Sequence, residues 1–109
     1  MQSLDRGGAN ADEITYPAVV KALREGEVAL VDVREANEYA AGHVEGSTLH
    51  PLSVFDPEKL PRDKPIVLIC RSGNRSMTAL KAARAAGFTE IWHYKGGALG
   101  WAQEGGVLV

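Results

Sequence analysis

Two apolar runs in the sequence predict buried β-strands. VALVDV spans residues 28–33 after Gly26, and IVLIC spans residues 66–70 after Pro65. Short apolar runs bounded by turn residues are typical of strands that are buried on both faces. A third, shorter strand is predicted over residues 90–94.

Segments with helix signals separate these strands. Pro17 stands in the first turn of a predicted helix that Gly26 ends, and a short helix is predicted from Glu35 to Ala41. One helical turn is expected over residues 57–60, and a last short helix around Trp101. A longer helix is predicted from Ser76 to Ala86, and its apolar face carries Ala79, Leu80, Ala83 and Ala86.

The order of these elements predicts the fold class. Strands that alternate with helices indicate an α/β domain with a mainly parallel sheet. Ligands of such sheets bind beyond the carboxyl ends of the strands. Cys70 stands at that end of its strand.

Composition narrows the classes of protein that need to be considered. The chain has 109 residues, which suggests one domain, and its net charge of −2 gives no reason to expect nucleic acid or an anionic membrane as partner. Residues 1–12 are polar and are expected to form a flexible arm, followed by a domain over residues 13–109. The arm lacks the apolar core of a signal peptide, so a cytoplasmic location is expected. The single cysteine excludes an intramolecular disulfide and a cysteine-rich zinc site. The three histidines show no ligand spacing, so neither a metal nor a cofactor is expected.

The segment after Cys70 has the properties of an anion-binding loop. It reads CRSGNR, and Gly73 and Asn74 tolerate the positive φ that a tight strand-to-helix turn requires. Backbone N–H groups in such a turn point inward, and the following helix N-terminus adds the same polarity. Arg71 and Arg75 add positive charge. The sequence therefore predicts a thiolate at Cys70.

The expected stabilisation is large enough without a general base. Lowering a thiol pKa by two units requires about 2.7 kcal/mol. A partly buried helix terminus contributes up to about 2 kcal/mol, and each charge-assisted hydrogen bond about 1.5–3 kcal/mol. The thiolate has to be stabilised in this way, because no histidine that could act as a general base lies near Cys70 in the sequence.

The sequence resembles the rhodanese family over about residues 12–109. CRSGNRS at residues 70–76 resembles the family's active-site loop. LVDVREANEYAAGHVEGSTLHPL at residues 30–52 resembles its upstream signature. The positions that carry this second similarity are Asp32, Val33, Arg34, Glu38, Tyr39, Gly42, His43, Gly46 and Pro51. Gly96, Gly97 and Trp101 resemble its downstream Gly-Gly and Trp pattern.

The resemblance implies a fold and an activity. The fold is a three-layer α/β domain whose central, mainly parallel five-stranded sheet is flanked by helices. The activity is transfer of sulfane sulfur from thiosulfate, a polysulfide or a persulfide to a thiophilic acceptor, through a persulfide on Cys70. Cys70 takes the family's nucleophile position. The substrate-binding loop is then formed by Arg71, Ser72, Gly73, Asn74, Arg75 and Ser76.

Several charged and aromatic residues outside the loop are interpreted as structural. These residues include Asp32, Arg34 and Glu38. Arg34 and Glu38 have the i, i+4 spacing of an ion pair that would stabilise a turn. Trp92 and Trp101 are expected to pack in the core.

The three histidines are interpreted one by one. His43 is expected to cap or hydrogen-bond after a short helix. His50 departs from the family, which usually has an apolar residue before that proline, and could lie at a pocket rim. His93 alternates with its strand neighbours and is expected to be exposed.

Two alternative functions stay open at this point. A cysteine-dependent phosphatase or arsenate reductase also uses a Cys…Arg anion loop, but with five intervening residues, whereas four lie between Cys70 and Arg75. A rhodanese-like protein-binding module or persulfide relay is the other alternative. The expected partners are a small-molecule sulfur donor and a thiol or cyanide acceptor, or a protein that gives or takes the persulfide. The expected assembly is a monomer or a weak homodimer.

Overall fold

The computed structural model describes residues 4–109 and contains one parallel sheet. Its strands are β1 (Ala29–Asp32), β2 (Thr48–Leu49), β3 (Ile66–Ile69) and β4 (Ile91–His93), in the order β2-β1-β3-β4. All three neighbouring pairs are parallel. This confirms the α/β class predicted from the alternation of strands and helices.

The expectation of five strands is wrong, because the sheet has four. A fifth position, beside β4, is occupied only by a single parallel bridge between Glu13 and His93. The first helix begins at Tyr16, and Pro17 lacks the N–H that a strand would need. The segment is therefore too short to extend the pairing.

Within the described residues, four α-helices surround the sheet: α1 (Tyr16–Arg24), α2 (Ala36–Ala41), α3 (Asn74–Ala85) and α4 (Gly97–Gln103). Two 3₁₀ turns, Leu52–Val54 and Pro57–Lys59, lie between β2 and β3. Helix α3 begins two residues earlier than the sequence predicted. Within residues 4–109, no helix has the length and apolar character needed to cross a bilayer.

Two apolar layers, one on each face of the sheet, form the core. Strand residues alternate between the faces, so Val67 and Ile69 join the layer that contains Trp101. Leu68 and Cys70 join the opposite layer, which packs under α3. The sheet and the helices on its two faces form the three layers of the expected architecture. The Cys70 side chain lies on the α3 side of the sheet.

The N-terminal segment lies against β4. Within the arm expected over residues 1–12, residues 1–3 lie outside the described part of the chain. The Arg6 guanidinium lies 5.1 Å from the centre of the Trp92 ring, which is only half-buried, whereas Trp101 is buried as expected. Asp12 forms an ion pair with Arg84 of α3. The flexibility of the arm stays a prediction.

A buried ion pair joins β1 to the end of α2. Arg34 donates from Nε to both carboxylate oxygens of Asp32, at 3.1 and 3.0 Å, and from Nη2 to Oδ2 at 2.8 Å. The same Nη2 reaches the carbonyl oxygen of Gly42 at 2.8 Å. Both side chains are at least nine-tenths buried. The prediction of an Arg34–Glu38 ion pair is therefore wrong, because Arg34 pairs with Asp32 instead.

Glu38 instead links α2 to α3. Its carboxylate oxygens lie 2.6 and 2.8 Å from the two Nη atoms of Arg75. Glu38 also completes a capping box with Glu35 at the start of α2. The hydrogen bond from Arg75 lowers the pKa of Glu38 to about 2, against a smaller opposing effect of burial.

We expect Asp32→Ala to lower the free energy of unfolding by about 3–5 kcal/mol, because it leaves the buried Arg34 guanidinium without its counterion. Urea denaturation followed by circular dichroism measures this change. Glu58→Ala is the matched control, since it removes the exposed Arg62–Glu58 pair and should leave stability nearly unchanged. Equal losses in both variants would contradict the importance of burial.

The Glu38–Arg75 pair should make stability depend on pH in the acid range. A lowered carboxyl pKa stabilises the fold above the unfolded value of about 4.3, and this contribution is lost as pH falls toward 2. Glu38→Gln should therefore cost about 1 kcal/mol at pH 7, because the pair is partly solvated. The difference from the wild type should shrink steadily as pH falls from about 5 to 2, and vanish only below the folded pKa of about 2. A difference that stays constant from pH 7 to pH 2 would contradict the assignment.

Candidate active site

Cys70 directly follows β3, is separated from α3 by residues 71–73, and is buried. The backbone N–H of Gly73 donates to Cys70 Sγ at 3.1 Å. The Ser76 hydroxyl oxygen lies 3.4 Å from the same sulfur. The sulfur therefore lies inside the strand-to-helix turn, within hydrogen-bond distance of one backbone N–H and one hydroxyl.

Gly73 produces the sharp curve of the loop. Its φ is 102°, a conformation that disfavours every residue with a Cβ. A Cβ at this position would also lie 2.5 Å from the carbonyl oxygen of Lys95. Asn74 also tolerates positive φ but does not adopt it: it is the first residue of α3, and in the described part of the chain only glycines have positive φ.

Helix α4 turns the loop carbonyls away from the sulfur. The N–H of Ala98 donates to the Cys70 carbonyl at 2.8 Å, and the N–H of Leu99 donates to the Arg71 carbonyl at 3.1 Å. Gly97 permits this approach, because its φ is 65° and a Cβ there would overlap the Arg71 carbonyl oxygen. The Arg71 carbonyl and the Ser72 N–H belong to one peptide plane and point in opposite directions, and the Ser72 N–H is one of the groups that lower the pKa of Cys70. The Gly-Gly signature thus has a direct role in shaping the site.

The hydrogen bonds around Sγ favour the thiolate. Burial raises the pKa of the Cys70 thiol, and this is the largest single effect. It is outweighed by the Ser76 hydroxyl together with the backbone N–H groups of Ser76, Gly73 and Ser72. The pKa of Cys70 therefore lies below its ordinary value. Charge at this sulfur is stabilised by fixed dipoles rather than by a neighbouring base.

The structure separates the two arginines of the loop. Arg71 is exposed and forms no ion pair with any of residues 4–109. It borders a surface groove of about 340 Å³ whose apolar wall includes Ala98, Leu99, Ala102 and Leu108. Arg75 is instead bound to Glu38, and its charge interacts with Cys70. Ser72 and Asn74 are exposed, and Gly73 and Ser76 are buried.

His93 was missed by the sequence analysis. It was expected to be exposed, but it is 1% exposed, and its Nδ1 lies 2.8 Å from Ser76 Oγ. The reason is that its side chain lies on the face of β4 that packs against α3, and residues 12–14 also pair with the outer edge of β4. The signal was present, since His93 lies two residues after Ile91 and therefore shares its face toward α3.

The other two histidines lie away from Sγ. His43 hydrogen-bonds through Nδ1 to the Tyr39 carbonyl at 2.8 Å and stacks on the Tyr39 ring, which confirms its structural role at the end of α2. His50 accepts the Asp56 N–H at 3.1 Å and lines a cavity of about 410 Å³ beside β2. Residues 4–109 contain no group of three His, Cys, Asp or Glu side chains placed to hold a metal ion.

Comparison with known proteins gives a family match over most of the chain. A family model described as "Rhodanese-like domain" matches residues 15–104. The chain is 36% identical to the thiosulfate sulfurtransferase GlpE of Pseudomonas savastanoi pv. phaseolicola, over 74% of this chain and 78% of that protein. A rhodanese-related protein from Thermoplasma volcanium superposes with a TM-score of 0.80 at 29% identity, covering 90% of this chain and 97% of the other.

Other relatives are much longer than this chain. The probable adenylyltransferase/sulfurtransferase MoeZ of Mycobacterium tuberculosis is 39% identical over 72% of this chain, but the match spans only 21% of MoeZ. The chain thus corresponds to about a fifth of that relative. From the match to residues 15–104 and the similarity to sulfurtransferases, the chain belongs to the rhodanese-like domain family.

Proposed function

We propose that this chain is a sulfurtransferase in which the Cys70 thiolate takes sulfane sulfur from thiosulfate or a related polysulfide or persulfide. The observation that carries the proposal is the arrangement of hydrogen-bonding groups around one sulfur. The Gly73 N–H donates to Sγ at 3.1 Å, and the Ser76 hydroxyl, which accepts from the thiol at 3.4 Å, can donate to the thiolate. Membership of the rhodanese-like family supports a sulfurtransferase or related role. Thiosulfate as the donor rests on the site chemistry and on the similarity to GlpE.

The proposed reaction has two displacement steps. The Cys70 thiolate attacks the outer sulfur of thiosulfate, a new S–S bond forms, and sulfite leaves with the electron pair of the broken S–S bond. The resulting persulfide carries one negative charge on its terminal sulfur. Cyanide or a thiolate then attacks that sulfur, and Cys70 leaves as the thiolate. No metal or redox cofactor is required, because both steps are displacements at sulfur. Sulfite leaves in the first step, and the Cys70 thiolate leaves in the second.

The loop is suited to hold the charge in each state. Preorganised donors stabilise an anion most when they converge on the atom that carries the charge. In the resting state that atom is Cys70 Sγ, which accepts from Gly73 at 3.1 Å. In the intermediate it is the terminal sulfur, one S–S bond further into the turn.

A phosphatase or arsenate reductase is disfavoured by the state of Arg75. Those reactions need a cradle large enough for a tetrahedral oxyanion, and an arginine that is free to bind its oxygens. Both Nη atoms of Arg75 are bound to Glu38. The shorter interval of four residues between Cys70 and Arg75 points the same way.

Arg71 is the residue of the loop that is available to a donor from solvent. It is exposed and borders the groove beside α4. An anionic donor such as thiosulfate would be attracted to this guanidinium before it reaches Sγ. The apolar wall of the same groove favours a second candidate, a persulfide relay to another protein, since Leu99 is 43% exposed there.

The remaining expectations are also part of the proposal. They are a cytoplasmic setting, function as a monomer or weak homodimer, and no use of nucleic acid or membrane as partner. They rest on the near-neutral charge and on the single cysteine of the sequence.

Cys70→Ser should abolish thiocyanate formation from thiosulfate and cyanide, because the chain has no second thiol. Intact-mass spectrometry of the wild type after incubation with thiosulfate should show the mass of one added sulfur, and the variant should show none. Hydrolysis of an aryl phosphate serves as the control reaction and should be negligible for both proteins. Activity of Cys70→Ser near the wild-type level would exclude the mechanism.

Arg71→Ala should raise the KM for thiosulfate about fivefold with little change in kcat, the pattern expected when uniform binding is lost at an exposed charge. Arg24→Ala is the matched control, since it removes the same charge from the end of α1. Steady-state kinetics at two ionic strengths measures both effects. A loss confined to kcat would assign Arg71 to the chemical step instead.

A further inference from the structure

The Ser76 hydroxyl lies among three polar atoms but has only one hydrogen to donate. Its oxygen lies 2.8 Å from His93 Nδ1, 3.2 Å from the carbonyl oxygen of Gly73 and 3.4 Å from Cys70 Sγ. Ser76 is fully buried, so bulk water cannot supply a further donor. The direction of this one hydrogen therefore decides whether the sulfur receives a hydrogen bond from Ser76.

The surroundings of His93 determine which of its nitrogens carries the hydrogen. Nε2 is buried and has no hydrogen-bond partner among the described residues. A buried N–H without an acceptor is rarer in proteins than an acceptor without a donor. A neutral imidazole with its hydrogen on Nδ1 avoids such an N–H, because Nδ1 faces Ser76 Oγ.

From this geometry we propose that His93 is a positioning residue: its Nδ1–H donates to Ser76 Oγ, so that the hydroxyl hydrogen of Ser76 is directed to Cys70. With the opposite tautomer, Nδ1 would accept at 2.8 Å and would take that hydrogen away from the sulfur. The Gly73 carbonyl is the weaker competitor, because it already accepts the N–H of Met77 at 3.2 Å and is uncharged.

The same arrangement suits both protonation states of Cys70. When the sulfur is a thiol, its S–H donates to Ser76 Oγ, and the hydroxyl turns to the Gly73 carbonyl. When the sulfur is a thiolate, the hydroxyl turns to Sγ. His93 can donate in both states, because a hydroxyl oxygen has two acceptor positions. Loss of the thiol proton therefore requires only a rotation of the Ser76 hydroxyl.

The backbone fixes His93 in this position. Its N–H donates to the Asp12 carbonyl at 2.9 Å, and its carbonyl accepts the Ile14 N–H at 3.2 Å. On the other side, His93 pairs with Leu68 of β3. The imidazole therefore has little freedom to leave Ser76.

The charged groups near His93 largely oppose one another. Burial lowers the pKa of His93 and is the largest effect. Glu13 and Asp12 raise this pKa, and Lys95 and Arg84 lower it. The net lowering favours the neutral imidazole that the proposed hydrogen bond requires. The charged group that acts directly on Cys70 from α3 is Arg75.

The first experiment measures the reactivity of Cys70 with iodoacetamide as a function of pH. His93→Leu removes the donor, and we expect the midpoint of alkylation to rise by about one unit, which is a tenfold loss of thiolate below the midpoint. His93→Asn keeps a side-chain N–H near the place of Nδ1 and should stay within about 0.3 units of the wild type. A folded His93→Leu with an unchanged midpoint would overturn the proposal.

The second comparison tests whether His93 acts through Ser76. Ser76→Ala alone should raise the midpoint, and adding His93→Leu to Ser76→Ala should change it by less than about 0.3 units. An equal effect of His93→Leu in both backgrounds would show that His93 acts on Cys70 by another route, and would also overturn the proposal.

The third measurement uses the wild-type protein and does not depend on the folding of any variant. Long-range ¹⁵N–¹H correlation spectra of histidine-labelled protein distinguish the two tautomers, with His43 and His50 assigned by substitution. We expect a pyrrole-type Nδ1 and a pyridine-type Nε2 for His93. The reverse pattern would refute the proposal.

None of these measurements uses a sulfur donor, so they are independent of the proposed sulfur transfer. If Cys70 takes no sulfur but the alkylation midpoints and the tautomer are as expected, the proposed function fails and the role of His93 stands. If Cys70 does take sulfur but the alkylation midpoint is unchanged in His93→Leu, the proposed function stands and the role of His93 fails.

Discussion

The hydrogen bonds from α4 to the loop carbonyls are the constraint on which the site depends. The N–H groups of Ala98 and Leu99 bind the carbonyls of Cys70 and Arg71, and a peptide plane with its carbonyl turned outward has its N–H turned inward. Gly97 makes this contact possible, since no residue with a Cβ fits against the Arg71 carbonyl. The last helix of the domain thus orients a loop that lies more than twenty residues earlier in the chain.

This arrangement explains how a lone cysteine is activated far from any charged base. Burial works against ionisation of Cys70, but the converging donors outweigh it. The backbone donors are held in place by the fold and need no reorganisation when the charge forms, and only the Ser76 hydroxyl has to rotate. Arg75 of α3 supports the same loop indirectly, because its ion pair with Glu38 joins the start of α3 to α2.

The sequence was sufficient to predict the features that depend on local pattern. Strands β1 and β3 followed from apolar runs, whereas the two-residue strand β2 was not predicted. The position of Cys70 followed from the turn residues after IVLIC. The features that failed depend on distant partners: Glu38 and Arg75 are 37 residues apart, and the His93 side chain is buried against Ser76, 17 residues earlier in the chain. The missing fifth strand has a similar cause, because α1 begins before the pairing can extend.

The edges of the sheet have a consequence for how the protein behaves at high concentration. An unpaired strand edge is a template on which a second molecule can add its own strand, and this is a common route to aggregation. Here β2 forms one edge and is only two residues long, and the bridge at Glu13 shields the outer side of β4. Neither edge offers a long row of free N–H and carbonyl groups. The short strand and the covering segment therefore protect a small domain from edge-to-edge association.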